Sequence, residues 1–293
     1  MRSLPRTFPL ALSALLLPSA FVLASCASAP PLEPPPPLPP EAAPAAPEAG
    51  PQVAASAAPT VVDRVEVPPA IRAAVDAADR SEADRALDAG RRPAETLAFF
   101  GIAPGMKVAE LGAGGGYTAE LLARIVGPSG AVYGQNSKFI IERFAEKPWS
   151  ERLKKDVMKP VVRVDREFVD PLPPEAKDLD AVIMILFYHD TFWMDVDRDA
   201  MNRVIFNALK PGGVYGIVDH SGRAGTGTSE VKTLHRIEEK VVREEIERAG
   251  FRLAAEASFL RSPGDTRDWN AAPSAAAEKR GTSDRFVMKF VKP

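Results

Sequence analysis

The sequence is poor in the residues that several kinds of function require. It contains one cysteine, Cys26, so an intramolecular disulfide is excluded. Because Cys26 lies outside the region that we expect to fold, a cysteine-dependent attack on cytosine C5 is excluded as well. The net charge is −2 and no long basic run occurs, so nucleic acid is not an expected partner. Histidine is scarce too, with three residues in the chain.

The N-terminal segment is typical of a secretory signal. Arg2 and Arg6 precede an apolar run over 10–23, which is shorter than the about 20 residues that span a bilayer. The tract ending in Cys26 resembles a bacterial lipobox, which implies a signal peptide over 1–26 and a lipid bilayer bound through acylated Cys26. The alternative is an ordinary signal peptide with an unrelated cysteine. The residue after the lipidated cysteine is Ala27, so the inner-membrane retention signal of the Asp type is absent at this position. We therefore expect the protein on the periplasmic side of a bacterial membrane, with the outer membrane favoured.

Composition divides the rest of the chain into a tether and a domain. Twelve of the 29 prolines lie between Pro30 and Thr60, among alanines, and such a segment cannot bury a core. We therefore predict a disordered tether over 27–60. Residues 61–293 are long enough for one α/β domain, with helices over 61–100 that precede a core over 101–293.

A glycine-rich loop is the strongest local signal in this domain. An apolar strand ends in Glu110-Leu111, the loop follows as Gly-Ala-Gly-Gly-Gly over 112–116, and the apolar positions over 118–126 indicate a helix. Glycines let a ligand approach the backbone closely, and the helix N-terminus favours an acidic group. No Gly-Lys-Ser/Thr follows, so phosphoryl transfer of the P-loop type is not expected.

Strands and helices alternate through the rest of the domain. This alternation predicts a mostly parallel, doubly wound sheet. Seven strands are expected, centred on 108–111, 131–134, 161–164, 180–186, 214–218, 251–259 and 285–291. Helices are expected within 69–100 and over 118–126, 197–209 and 238–249.

The acid–glycine loop resembles motif I of class I S-adenosylmethionine-dependent methyltransferases. The Leu-Lys-Pro-Gly-Gly step at 209–213 also resembles the turn into the fifth strand of that class. The resemblance implies an α/β, Rossmann-like, seven-stranded sheet with an antiparallel last strand. It further implies S-adenosylmethionine as cofactor, bound by residues at the carboxyl edge of the first strands, which are Glu110, Gly112, Gly114, Gly116, Tyr117, Asn136 and Asp165.

One of these positions departs from the pattern of the class. The second strand usually ends in an acid that accepts hydrogen bonds from both ribose hydroxyls, whereas Asn136 stands there. An amide carries no charge, and the lost charge-assisted bond corresponds to about 1–3 kcal/mol. The position is compatible with weaker cofactor binding or with a different ligand.

The three histidines are expected at one edge of the sheet. Two of them follow the fourth and fifth strands, and ligands of doubly wound sheets bind at the carboxyl ends of strands. The candidate catalytic residues are His189, Asp190, Asp219, His220 and His235. We favour His189 or His220 as general base, with Asp190 or Asp219 orienting the ring. The alternative is that His189, Asp190, His220 and His235 hold a divalent metal.

The polar loop between the last two strands is expected at the same edge. Its Trp269 and flanking charges fit a substrate cover and an ordinary surface loop equally well.

The tract around Asp219-His220-Ser221 is similar to a bacterial group of predicted methyltransferases. We therefore predict methyl transfer to an oxygen or nitrogen of a small molecule by an exported, lipid-anchored domain. The alternative is a non-catalytic lipoprotein that binds a nucleoside-like or acidic small molecule. The sequence does not indicate an oligomeric state.

Overall fold

The computed structural model describes residues 59–293. The predicted signal peptide, Cys26 and nearly all of the predicted tether lie outside these residues. Eight strands of the described part form one sheet, and they are β1 Thr60–Val62, β2 Lys107–Leu111, β3 Ala131–Asn136, β4 Val161–Asp165, β5 Leu179–Ile185, β6 Leu209–His220, β7 Arg252–Ala257 and β8 Arg285–Val291.

The strand order in the sheet is β1-β7-β8-β6-β5-β2-β3-β4. β2, β3, β4, β5 and β6 are parallel to one another, whereas β8 runs antiparallel to β6 and to β7. The predicted doubly wound sheet with an antiparallel last strand is therefore confirmed. Because β2, β5 and β6 are parallel neighbours, the residues that follow Leu111, Ile185 and His220 lie at one edge of the sheet.

The predicted number of strands was wrong by one. β1 pairs in parallel with β7, with Thr60 opposite Ala255, and extends the sheet beyond the seven expected strands. Its three residues are too few for a periodic pattern, and they adjoin the proline-rich segment. Local sequence therefore carried no strand signal there, and the pairing depends on the exposed edge of β7.

The helices lie where the apolar spacing predicted them, with additional short ones. Their bounds are α1 Pro69–Val75, α2 Glu82–Arg91, α3 Pro93–Phe100, α4 Tyr117–Val126, α5 Lys138–Ile140, α6 Glu146–Leu153, α7 Asp190–Trp193, α8 Arg198–Ala208, α9 Val231–Leu234 and α10 Glu239–Arg248. A π-helical turn over Ile141–Ala145 joins α5 to α6. The Asp197 side chain caps α8 by accepting a hydrogen bond from the Ala200 N–H at 2.9 Å.

The sheet is buried on both faces by these helices. β5 supplies Ala181 and Ile183 to one face and Val182 and Met184 to the other, and all four are at most 2% exposed. This explains why the strand has a continuous apolar run instead of alternation. Within residues 59–293, no helix is long and apolar enough to cross a membrane.

Candidate functional site

The glycine-rich loop connects β2 to α4 at the carboxyl edge. Gly112, Gly114 and Gly116 all have positive φ, of 71°, 55° and 83°, a conformation that side-chain-bearing residues rarely adopt. A Cβ on Gly116 would collide with Trp149, whereas a Cβ on Gly114 would meet no atom within 4 Å. Gly116 therefore serves packing, and Gly114 borders open space in which a ligand can approach the backbone.

Glu110 is a buried acid at the end of β2, 4% exposed. Burial raises the pKa of its carboxyl to about 8, although Thr118 and Arg91 act in the opposite direction. Its Oε2 has no hydrogen-bond partner in the described part of the chain. An unpaired buried acceptor is costly, and an ammonium group would supply both a donor and a compensating charge. Glu110 thus fits the methionine ammonium that class I methyltransferases bind at this position.

Asn136 ends β3 and holds the glycine-rich loop through its side-chain amide. Its Oδ1 accepts a hydrogen bond from the Gly114 N–H at 2.8 Å, and its Nδ2 donates to the Gly114 carbonyl at 3.1 Å. A carboxylate could make only the first of these bonds, which is a structural reason for an amide here. The ribose contact expected of Asn136 stays a prediction, since both polar atoms of the side chain bind Gly114.

Phe187 is a residue of this site that the sequence reasoning missed. Three of its ring carbons lie 2.5–2.9 Å from the position that a Cβ on Gly112 would take. The ring also stacks on Phe168, with centroids 5.0 Å apart. The residue directly follows the apolar run of β5, so its sequence context gave no signal of contact with the loop. The space beside Gly112 is consequently filled by the Phe187 ring.

Tyr117 begins α4 directly after the loop, and Asp165 lies two strands away at the end of β4. The Tyr117 hydroxyl donates to Asp88 Oδ1 at 2.6 Å, and the Arg91 guanidinium lies 4.5 Å from its ring centroid. The N-terminal helices thus cover the start of α4. Asp165 ends β4, where it is half-exposed and paired with Arg163 at 2.8 Å. The cofactor contacts of both residues stay predictions.

Two cavities lie beside α4, at different ends. A cavity of about 10 Å³ is lined by Arg91, Thr96, Tyr117 and Ile185 near the glycine-rich loop. A larger cavity of about 490 Å³ is lined by residues around Gly127 and Pro160, beyond the C-terminal end of the helix. The larger one lies at the amino edge of the parallel strands, away from all of the predicted site residues.

The three histidines meet at the carboxyl edge, as predicted. His189 directly precedes α7, His220 is the last residue of β6, and His235 follows α9 with a left-handed φ of 56°. The ring centroids of His189 and His235 are 4.0 Å apart, and that of His220 lies 5.7 and 6.0 Å from them. We call these three residues with Asp190 and Asp219 the histidine cluster.

Asp219 organises the histidine cluster. Its Oδ1 lies 2.6 Å from His189 Nδ1, and its carboxylate also accepts the backbone N–H groups of His189 and His220. Burial lowers the pKa of His189, but the carboxylates of Asp219 and Asp190 outweigh it and raise this pKa to about 9. His189 is therefore held in its charged form at neutral pH, and a charged imidazole is not a base.

His220 and His235 are held in the neutral form. Burial, together with the charge of His189, lowers the pKa of His235 to about 3 and that of His220 well below its usual range. His220 Nδ1 lies 2.7 Å from Ser283 Oγ. Of the two candidate bases, His220 thus has the protonation state that the role requires.

The loop over 261–284 lies beside the histidine cluster and is held by ion pairs, one of them fully buried. Arg236 binds Asp265 at 2.9 Å, and Trp269 donates its indole N–H to the same carboxylate at 2.7 Å. Arg267 binds Asp284 at 2.7 Å. Asp265, Arg267 and Trp269 therefore have structural partners within the loop and its base, which favours the interpretation of an ordered scaffold over that of a substrate cover.

Comparison with known proteins agrees with this architecture. Residues 57–164 match the family model "Protein-L-isoaspartate(D-aspartate) O-methyltransferase". A comparison with curated protein sequences finds no match. Among solved structures, a SAM dependent methyltransferase from Aquifex aeolicus is similar at 19% identity and a TM-score of 0.50, covering 72% of this chain and 95% of its own. A Galdieria sulphuraria protein described as a sarcosine dimethylglycine methyltransferase has 17% identity, a TM-score of 0.51 and coverages of 72% and 89%.

The described domain has the fold of the class I S-adenosylmethionine-dependent methyltransferases. The predicted fold is thereby confirmed, and the match of residues 57–164 to a methyltransferase family model agrees with the predicted recognition, enzyme class and S-adenosylmethionine cofactor. The matched family model spans β1 to β4, which includes the acid–glycine loop and Asn136 but ends before the histidine cluster.

Proposed function

We propose that the domain transfers a methyl group from S-adenosylmethionine to an oxygen or nitrogen of a small molecule. The observation that carries the proposal is the buried Glu110 carboxyl group, whose Oε2 lacks a partner in the described residues, at the end of the strand that leads into the glycine-rich loop. An amino-acid ammonium is the simplest group that satisfies such an oxygen. When bound, the cofactor supplies an electrophilic methyl group on a sulfonium sulfur.

The histidine cluster is the part of the proposed site that handles the acceptor. His189 is two residues beyond Phe187, whose ring lies against Gly112, so the cluster adjoins the glycine-rich loop. Neutral His220 accepts at Nε2 the proton that the acceptor oxygen or nitrogen loses, in the tautomer in which Nδ1–H donates to Ser283 Oγ. A positioned imidazole of this kind contributes about 10²–10⁴-fold to rate.

His189 and Asp219 have a different role in this proposal. The buried pair fixes the backbone of His189 and of His220, so it positions the proton acceptor. The charge of His189 also keeps His220 neutral. The proposal therefore takes His220 and not His189 as the base, because His220 is neutral near pH 7.

A second candidate function is ligand binding without catalysis. It is favoured by the Asn136 amide, which is engaged with Gly114, and by the Phe187 ring beside Gly112. In that case the pocket takes a nucleoside-like or acidic small molecule, and no methyl group is transferred.

Export and lipid anchoring are part of the same proposal. They are supported by the apolar run over 10–23 and by the position of Cys26. Mass spectrometry of the mature protein from membranes tests them. A diacylated N-terminal Cys26 is expected, and an intact N-terminus on a cytoplasmic protein would contradict the export proposal.

Methylation of a small-molecule library with radiolabelled cofactor tests the activity. The full-length protein is compared with His220→Gln, in which turnover is expected to fall at least about 10²-fold while cofactor affinity is unchanged. Label transfer that is equal in both proteins would remove His220 from the mechanism. Cofactor binding without any transfer across the library would favour the second candidate function.

A further inference from the structure

The histidine cluster contains a buried nitrogen that the hydrogen-bond network leaves unused. His189 is 0% exposed, and its Nε2 has no hydrogen-bond partner among residues 59–293. Its other nitrogen, Nδ1, is committed to Asp219 Oδ1 at 2.6 Å. Buried polar atoms are nearly always paired, so an isolated one indicates a missing partner.

Two further ligand atoms surround this nitrogen. Asp190 Oδ1 lies 3.4 Å from His189 Nε2 and 3.8 Å from His235 Nδ1. The ligand atoms of these three residues all lie within 4.8 Å of one another. Ligands bound about 2.1 Å from a metal at tetrahedral angles are about 3.4 Å apart. The observed separations therefore need little adjustment to hold one ion.

The surroundings of the three ligands are those of a metal site. A metal-bound histidine usually donates its second ring N–H to a carboxylate, which fixes the ring, and Asp219 takes that position for His189. Asp190 and His235 are anchored on the neighbouring helices α7 and α9, which the Trp193 indole N–H connects by donating to the Val231 carbonyl at 3.2 Å. The ligands are thus held by the scaffold before any ion binds.

We propose that His189 Nε2, Asp190 and His235 Nδ1 bind one divalent transition-metal ion. The ion displaces the proton that charged His189 holds at Nε2 in the metal-free protein, because only a neutral imidazole is a metal ligand. Two imidazoles and one carboxylate suit Zn²⁺ or Fe²⁺, whereas Mg²⁺ and Ca²⁺ prefer sites built from oxygen. Three protein ligands leave coordination positions open, as in catalytic metal sites. His220, which the sequence-based alternative included as a ligand, borders this site with its ring centroid 5.7 Å from that of His189. The proposal does not depend on methyl transfer.

Zinc titration of the untagged full-length protein, stripped with a chelator and followed by calorimetry, tests the site. One ion per chain is expected. Asp190→Asn, a nearly isosteric change, and His235→Gln are each expected to weaken Zn²⁺ binding at least about 100-fold, and Asp219→Asn about 10–100-fold. Asp195→Asn is the matched control, because this exposed residue lies in the same segment, and its affinity is expected to equal that of the wild type. Equal affinity in all variants, or no binding, would overturn the proposal.

A second measurement avoids variants that fail to fold. The chain has three histidines, so imidazole nitrogen spectra resolve each ring in the wild-type protein. Zn²⁺ is expected to shift His189 Nε2 and His235 Nδ1 strongly and to leave both His220 nitrogens without a coordination shift. Zn²⁺ that binds without shifting His189 and His235 is an adventitious ion only, and that result would overturn the proposal. Neither readout involves the cofactor, so failure here is distinct from failure of the proposed methyl transfer.

Discussion

Asp219 and His189 form a hydrogen-bonded pair in which neither side chain is exposed. Asp219 Oδ1 lies 2.6 Å from His189 Nδ1, and Oδ2 accepts the backbone N–H of the same histidine at 2.9 Å. One carboxylate thus fixes both the ring and the backbone of a residue that follows β5, from a position near the end of β6. This pair connects β5 and β6 at the carboxyl edge of the sheet, where the histidine cluster lies.

Replacement of Asp219 by asparagine is expected to release His189. Because the imidazolium loses its buried counter-charge, the pKa of His189 should fall well below about 9. Breaking a buried pair in this way costs about 3–5 kcal/mol of the free energy of unfolding. Histidine resonances followed through a pH titration and chemical denaturation measure the two effects.

Asp199→Asn is the control for this change. Asp199 is exposed and pairs with Arg248 at 3.2 Å on the surface. Its loss is expected to cost less than about 1 kcal/mol and to leave the histidine titrations unchanged. If Asp219→Asn proved as mild as this control, the pair would not organise the histidine cluster.

Glu110→Gln is expected to stabilise the ligand-free protein at alkaline pH. The pKa of Glu110 is raised from 4.5 to about 8 in the folded state. Between these values the unfolded chain loses the proton and the folded chain keeps it, so the free energy of unfolding falls as pH rises. Relative to wild type, the variant should gain up to about 4 kcal/mol between about pH 5 and about pH 8.5.

Thermal unfolding at the two pH values, with exposed Glu142→Gln as control, measures this gain. Glu142→Gln is expected to change stability by less than about 0.5 kcal/mol at either pH. The same Glu110→Gln variant is expected to bind S-adenosylmethionine more weakly, since the amide oxygen accepts a hydrogen bond from an ammonium but carries no compensating charge. A gain in stability with unchanged cofactor affinity would show that Glu110 does not contribute to cofactor binding.

Gly114→Ala is expected to impair cofactor binding with little loss of packing. The added methyl group meets no protein atom within 4 Å, so the stability cost is limited to the positive φ, about 1–2 kcal/mol. Gly212→Ala has the same strain, with φ of 76° and open space, at the opposite edge of the sheet. Both variants should lose similar stability, but only Gly114→Ala should weaken cofactor binding. Equal affinity in the two would show that the ligand does not approach Gly114.

The sequence predicted those elements in which the residue types themselves indicate burial or backbone conformation. The apolar run of β5 and the glycines of the loop indicated the central sheet and its ligand edge, and the topology then brought His189, His220 and His235 together. The contacts that depend on distant partners were not predictable. No local pattern indicates that β1 pairs with β7, that Phe187 lies against Gly112, or that the Asn136 amide binds Gly114. These follow from packing between segments far apart in the chain.

Titration of the full-length protein with S-adenosylmethionine by calorimetry tests the central claim most directly. We expect saturable binding of one molecule per chain with a dissociation constant in the micromolar range, about −8 kcal/mol, which Glu110→Gln weakens at least about tenfold. The absence of heat and of any thermal shift at roughly millimolar cofactor would contradict the claim and leave the domain as a binding module for a different ligand.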